Sequence, residues 1–492
     1  MIAVFNHRFQ SLAVALLVSS SLLVQNAWHA SVEAATGYCQ FSADLIARKD
    51  QLRQAAIQGN PNAQQNYRAL LKTHAEQLRR CRAQSWPKQQ AIWLRLYPCD
   101  VRPGSLDAVM DRIVNRGYNV VYVEAFADSQ VLLPPNDNPT PWDTVVRGSG
   151  NDNRDLLAEA IAKGRERGLK VYAWLFTMNF GYAYSRRPDR QAVLARNGKG
   201  QDSTSFVHDQ SQAFIDPYHP QAMADYTQLL KAIVKRRPDG VLFDYIRYPR
   251  GTGQESAVGE VKDLWIYGEA SKNQLIKRGT NNQGRALIET YINQGYITRN
   301  DLAAVEKRYP SEPAPLWDGR IDSANEAKLS FNQRYQRLKS GIWQLSVAHA
   351  AQGVVDFLSY SASFVMNQGI PAGAVFFPDG NQTVGEKGFD SRLQAWDKFP
   401  PSLEWHPMAY AICRDGNCIV EQVNQVLAAA SPQTAVNPAL AGFWGQTKDN
   451  RPSLEDQMIA LRSAFPQLQT VTHFAFSWQE PQFDKQRRFC KL

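Results

Sequence analysis

The sequence predicts an α/β fold, a (β/α)8 TIM barrel with an N-terminal helical hairpin and a long insertion after its fourth strand. Three observations predict it. From residue 91 onward, apolar runs of strand length alternate with amphipathic helical segments, which forces a parallel sheet. Eight such runs can be picked out, the number that closes naturally into a barrel. No glycine-rich phosphate loop follows the first run, as a doubly wound open sheet would carry there.

Taken in order, residues 1–34 read as a secretory signal peptide. Arg8 supplies the positive start, residues 12–24 are apolar, and Val32-Glu33-Ala34 offers small residues at the cleavage positions. The run is too short for a permanent membrane span, so no stable membrane insertion is expected once it is removed. Residues 35–88 read as a helical hairpin, rich in Gln, Ala, Arg and Leu. Asn60-Pro61-Asn62 divides its arms and Trp86-Pro87 ends it.

Residues 89–492 form the barrel domain. The expected strands are 91–99, 119–126, 170–177, 240–248, 373–378, 403–411, a seventh around 434–444, and 470–478. Helices are expected around 106–116, 155–167 and 221–236. Residues 250–330 are the insertion, with a helical piece over 300–309. Placed after a strand end, it would project over the face where barrels bind substrate.

Six cysteines suit an oxidising compartment. Cys413 and Cys418 flank the turn Arg414-Asp415-Gly416-Asn417 and are expected to pair. Cys39 and Cys81 would clamp the hairpin, leaving Cys99 to pair with Cys490 because first strand and last helix of a closed barrel are neighbours. The formal charge is +9, without a dense Lys/Arg tract, so nucleic acid is not an expected partner. No Cys/His spacing matches a zinc site, no nucleotide-binding or serine-hydrolase motif is present, and no cofactor is expected.

The most chemically pointed segment is Asp239-Gly-Val-Leu-Phe-Asp-Tyr-Ile-Arg-Tyr-Pro249. An apolar strand that ends in a carboxylate, a guanidinium and two phenols is how a barrel strand delivers side chains to its active mouth. Asp244 is therefore the leading catalytic candidate. Glycoside hydrolysis needs two carboxylates, one protonated at neutral pH and one ionised. Glu124, Asp379 and Glu480 are the candidate partners. Asp379, from the neighbouring strand, would give the close retaining pair of roughly 5–5.5 Å, and Glu480, from across the barrel, the inverting pair of roughly 6.5–9.5 Å. Phe243, Tyr245 and Ile246 would raise the Asp244 pKa and Arg247 would lower it, so the acid and nucleophile roles stay open.

Aromatic residues recur at the same strand ends, and sugar rings stack on aromatics. Trp142, Trp174, Tyr248, Tyr410 and Trp478, with Arg247 and Asn179, form the candidate substrate-binding set. His208, His219, His406 and His473 read as ordinary hydrogen-bonding residues.

The segment Phe214–Pro249, with its Ile-Asp-Pro, a helix and then DGVLFDYIRYP, resembles the glycosyl hydrolase-like family 10 of bacterial exported proteins. Asp155–Trp174, Pro407-Met-Ala-Tyr410 and Pro141-Trp142 are similar to further blocks of that family. The resemblance implies a TIM-barrel glycosidase linked to cell-envelope glycans, peptidoglycan strands among them, with Asp244, Arg247, Tyr248 and Tyr410 at the mouth. Where the family often has an arginine at the end of strand two, this chain has Glu124, and strand five reads Phe376-Phe-Pro-Asp379 in place of a serine-proline type. The expected function is hydrolysis of a cell-envelope or extracellular polysaccharide by an exported protein. The competing readings are a non-catalytic glycan-binding protein and a structural envelope protein on the same scaffold.

Overall fold

Eight parallel strands close on themselves in the computed structural model, which describes residues 38–490 apart from 149, 208, 210, 321–327 and 387. The signal-peptide reading of residues 1–34 and His208 lie outside the described residues. The barrel strands are β1 (Gln89–Leu94), β2 (Val120–Ala127), β3 (Lys170–Phe176), β4 (Gly240–Asp244), β5 (Ala372–Phe376), β6 (Glu404–Ala409), β7 (Ala439–Ala441) and β8 (Thr470–Phe474). Each pairs with its sequence neighbour, and β1 pairs with both β2 and β8, closing the ring.

Two helices precede the barrel, α1 (Ala43–Ile57) and α2 (Pro61–Gln84). Asn60 starts α2 by accepting from the Ala63 N–H at 3.0 Å, and Pro61 fills the first helical position, where a missing N–H costs nothing. Outer helices follow most strands: α3 (Ser105–Asn115), α4 (Leu156–Glu166) and α5 (Pro220–Lys235). After β4 come α6 (Glu269–Lys277), α7 (Asn282–Gln294) and α8 (Arg299–Arg308), then the long α9 (Phe331–Met366) leading into β5. The last helices are α10 (Asn417–Ala429), α11 (Leu454–Ala464) and α12 (Pro481–Arg488).

The barrel interior is a packed stack of rings, not a channel. Trp93 meets Tyr122 and Trp174 edge-on, with centroids 4.9 Å away in both cases. Below them Tyr122 contacts Tyr172 and His406. Gly373 makes room for this floor, since a side chain there would lie 2.9 Å from His406 Nε2. Glu404 closes it by accepting from the Tyr172 hydroxyl and His406, both at 3.2 Å.

The strands begin where the apolar runs predict, but four stop short. β4 ends at Asp244, not at residue 248, because Tyr245 turns into the left-handed region at φ 53°. β1 ends at Leu94 ahead of a tight turn over Pro98–Val101, β6 ends at Ala409, and β8 ends at Phe474 before a helical turn over Phe476–Gln479. The three expected disulfides are present: Cys39–Cys81, Cys99–Cys490 and Cys413–Cys418, with Cα separations of 5.7, 6.3 and 6.0 Å. Among the described residues, no helix is long and apolar enough to cross a membrane.

Candidate active site

The C-terminal ends of six strands surround a cavity of about 120 Å³. Trp93 and Arg95 come from β1, Trp174 and Phe176 from β3, and Asp244, Tyr245 and Arg247 from β4 and its turn. Val375 and Phe377, Met408 and Tyr410, and Phe474 complete the lining from β5, β6 and β8. Among the described lining residues, none comes from 250–330, so the insertion does not plug the mouth.

Asp244 is nearly buried, at 7% exposure. One carboxylate oxygen accepts from Trp174 Nε1 at 3.0 Å and the other from the Tyr245 N–H at 2.6 Å. Burial nevertheless dominates and pushes its pKa up to about 6, against those two hydrogen bonds and the pull of Arg247 and Arg95. The positive φ of Tyr245 is uncommon for a non-glycine residue and is the kind of local strain that clusters at functional sites. It stacks the Tyr245 ring on Phe176, at 4.1 Å between centroids, and lays it under the Arg247 guanidinium at 4.7 Å.

Glu124 lies on β2, two strands from Asp244. It accepts from Arg95 Nε at 2.8 Å. Burial raises its pKa to about 7 despite Arg95, and the Asp128 and Asp244 charges add to the rise. The β2–β3 register slips immediately after Glu124, where two residues of β2 face one of β3. Such a bulge re-aims side chains next to active sites. Here Glu124 faces Arg95 at the mouth, while Phe126 packs on Trp142 at 4.4 Å. Arg95 also borders a second cavity of about 240 Å³, whose walls include Glu124, Tyr97, Asp128, Gln130 and Arg488. The two hollows meet at the Arg95–Glu124 pair.

The remaining sequence-derived candidates divide sharply. Asp244, Arg247, Tyr410 and Trp174 line the first cavity together, and Glu124 lines the second. Asp379 does not join them: it lies beyond the end of β5, where the chain turns, and pairs with Arg392 at 3.0 Å. Glu480 is drawn to the outer layer, where Arg112 and Arg116 of α3 hold its two oxygens at 2.8 and 2.7 Å. Tyr248 is fully buried, its hydroxyl inside the core. Trp142 is buried among Phe126, Phe180 and Tyr184. Asn179 is buried and braces a loop, accepting from the Gly181 and Ala213 N–H groups. Trp478 stacks on Phe443 at 5.1 Å and reaches the mouth only through Phe474, at 6.0 Å.

Sequence reasoning missed Arg95, Trp93, Met408 and Phe474. Arg95 had a signal, being the only charge inside the apolar run Ala91–Cys99. Among the described residues, no group of His, Cys, Asp and Glu has the geometry to hold a metal ion.

Residues 93–275 match the model of the family described as Glycosyl hydrolase-like 10, a segment that holds Arg95, Glu124, Trp174, Asp244 and Arg247. No curated protein matches the chain. Among solved structures it is similar to a β-galactosidase from the psychrophilic Marinomonas ef1, at 13% identity over 79% of this chain and 54% of that one, TM-score 0.42. It is also similar to the GH20 β-N-acetylhexosaminidase of Streptomyces coelicolor A3(2), at 9% identity over 80% of this chain and 60% of that one, TM-score 0.38. A third is a hypothetical protein from Ruminiclostridium thermocellum ATCC 27405, at 15% identity over 32% of this chain and 77% of that one, TM-score 0.25. The chain thus spans less than two thirds of the length of the first two.

Proposed function

We propose that this chain is a glycoside hydrolase in which Glu124 is the general acid and Asp244 the ionised partner. The observation that carries the proposal is the pair itself: two mouth carboxylates, on β2 and β4, held by burial at about 7 and about 6. At neutral pH a large fraction of Glu124 keeps a proton to give to a leaving oxygen, while Asp244 is mostly ionised. The aromatic cavity wall suits the C–H face of a sugar ring, with Trp174 holding Asp244 in place through its indole N–H.

β3 separates the two acid-bearing strands, so their backbones stand two strand spacings apart, about 9–10 Å. Side chains converging on the barrel axis bring the carboxyls into the roughly 6.5–9.5 Å range that leaves room for a water. Asp244 then acts as the base that activates this water, and the anomeric configuration inverts. The second hollow beyond Arg95 gives the leaving side of a chain somewhere to lie, which favours a polysaccharide over a single sugar.

Export follows from the signal-peptide reading and is supported by three disulfides, which persist in oxidising compartments. Residues 89–492 are then the catalytic domain, with 35–88 as a hairpin bracing its side and 250–330 as an insertion outside the mouth. Envelope glycans, peptidoglycan strands included, are the first substrates to test. The test is a digest of purified cell-wall glycans and common polysaccharides with wild type and Asp244→Asn. Product from wild type alone supports the reading; equal product from both rejects Asp244.

A further inference from the structure

Arg247 is the one cavity-lining cation that, among the described residues, has no carboxylate at ion-pair distance. Its side chain is buried to 7% exposure. One N–H donates to the Tyr248 carbonyl at 3.0 Å. The guanidinium is sandwiched by rings, 4.7 Å from Tyr245 and 5.3 Å from Phe214. Arg95, the other cation of this cavity, is taken by Glu124. Arg392 nearby is fully paired with Asp390 and Asp379. Asp244, three residues back, acts on Arg247 only at a distance.

Burying a guanidinium without a partner is costly, and leaving its fork of donors at a cavity wall is costlier still. Rings on its flanks fix its plane and leave its edge to the cavity. A planar fork of N–H donors matches a carboxylate, two bonds to two oxygens, better than any other common substituent of a sugar.

We propose, building on the glycosidase reading, that the sugar bound over Asp244 carries a carboxylate, and that Arg247 grips that carboxylate bidentately as the specificity-determining contact. The substrate class is then an acidic glycan, and a neutral one lacks the group that offsets the buried charge. The chain's net charge of +9 favours encounter with such a polymer.

The test titrates the full chain with single sugars by ligand-observed NMR at low salt: glucuronic acid, with its acid on the ring carbon; N-acetylmuramic acid, with its acid on an ether arm; glucose 6-sulfate; and neutral glucose and N-acetylglucosamine. At least one carboxylated sugar binds at least tenfold tighter than its neutral parent, and which one tells where the acid sits. In Arg247→Gln that preference falls to about one, and in Arg247→Lys, which keeps charge without the fork, it is intermediate. Melting curves check that each variant folds, and the Lys form carries the test if the Gln form does not fold. Equal binding of acids and neutrals by wild type, a preference that survives Arg247→Gln, or a preference for the sulfate alone overturns the inference while leaving the glycosidase reading intact. Binding of no sugar at all overturns both.

Discussion

Two buried charge clusters in this molecule obey opposite rules. One joins the N-terminal hairpin to the barrel. There Asp111 of α3 accepts from Arg53 and Arg167, both at 2.8 Å, and from the Tyr67 hydroxyl at 2.7 Å. Arg167 also reaches Asp107 at 2.8 Å. Although burial opposes it, this clamp holds the Asp111 carboxyl below its usual range. The other cluster is the mouth, where Glu124 and Asp244 are pushed up to about 7 and about 6. The contrast teaches that burial alone does not set a carboxylate's state. Saturation with short, charged hydrogen bonds makes a fixed strut, and leaving the charge under-compensated makes a group that can exchange a proton.

The contrast is open to attack, first at its largest consequence. Asp244→Asn should lower polysaccharide cleavage by about a thousandfold or more, and yet raise stability by about 1–3 kcal/mol, because a carboxylate whose pKa is raised by two units costs about that much at neutral pH. Digestion assays and urea unfolding measure both; a destabilised Asp244→Asn would put the mouth under the same rule as the clamp. Glu124→Gln should cost roughly a hundredfold or more on polysaccharide but under tenfold on an aryl glycoside whose leaving group needs no proton. A comparable loss on both substrates would remove Glu124 from the acid role.

Asp111→Ala should destabilise by about 3–5 kcal/mol, since it strands buried Arg53 and Arg167. Its effect on kcat in folded protein should be small, measured at a temperature well below unfolding. The smallest effect is the pH dependence. Activity should follow a bell with apparent values near 6 and 7, belonging to the coupled pair. Stability should split by cluster. Asp111, depressed in the fold, contributes above the ordinary carboxylate range and loses that contribution as pH falls through its lowered value. The mouth acids, raised in the fold, do the reverse: their burial costs nothing in acid and progressively more as pH rises toward 6–7. The Glu124→Gln, Asp244→Asn double variant should therefore show a flatter stability curve between about pH 4 and 7 than wild type.

Most of the barrel was legible in the sequence because its signal is periodic and local. Eight apolar runs mark eight strands, and even the cysteine pairs follow from adjacency. Asp244, Arg247, Trp174 and Tyr410 were legible for the same reason, since a polar or aromatic group just past an apolar run has few places to go except the mouth. The partner acid was not. Glu480 and Asp379 sit past strand ends in sequence just as Asp244 does, yet Arg112, Arg116 and Arg392 are brought beside them by tertiary contacts that no window of sequence contains. Glu124 sits mid-strand, and what brings it to Arg95 at the mouth goes with a bulge, a feature of pairing between β2 and β3. Tyr248 and Asn179 were over-read because the left-handed turn at Tyr245 re-aims everything after it.

The closure of the ring carries a consequence in time. β1 hydrogen-bonds to both β2 and β8, and Cys99 beside it bonds Cys490, with a sequence separation of 391. As the chain emerges, the first barrel strand therefore waits for the last with one edge bare, a template for any other strand nearby. The chain must keep that edge shielded until the final turn is delivered. Once it is, the closing bond records that the whole length arrived intact, because a product shortened before Cys490 has nothing to seal with.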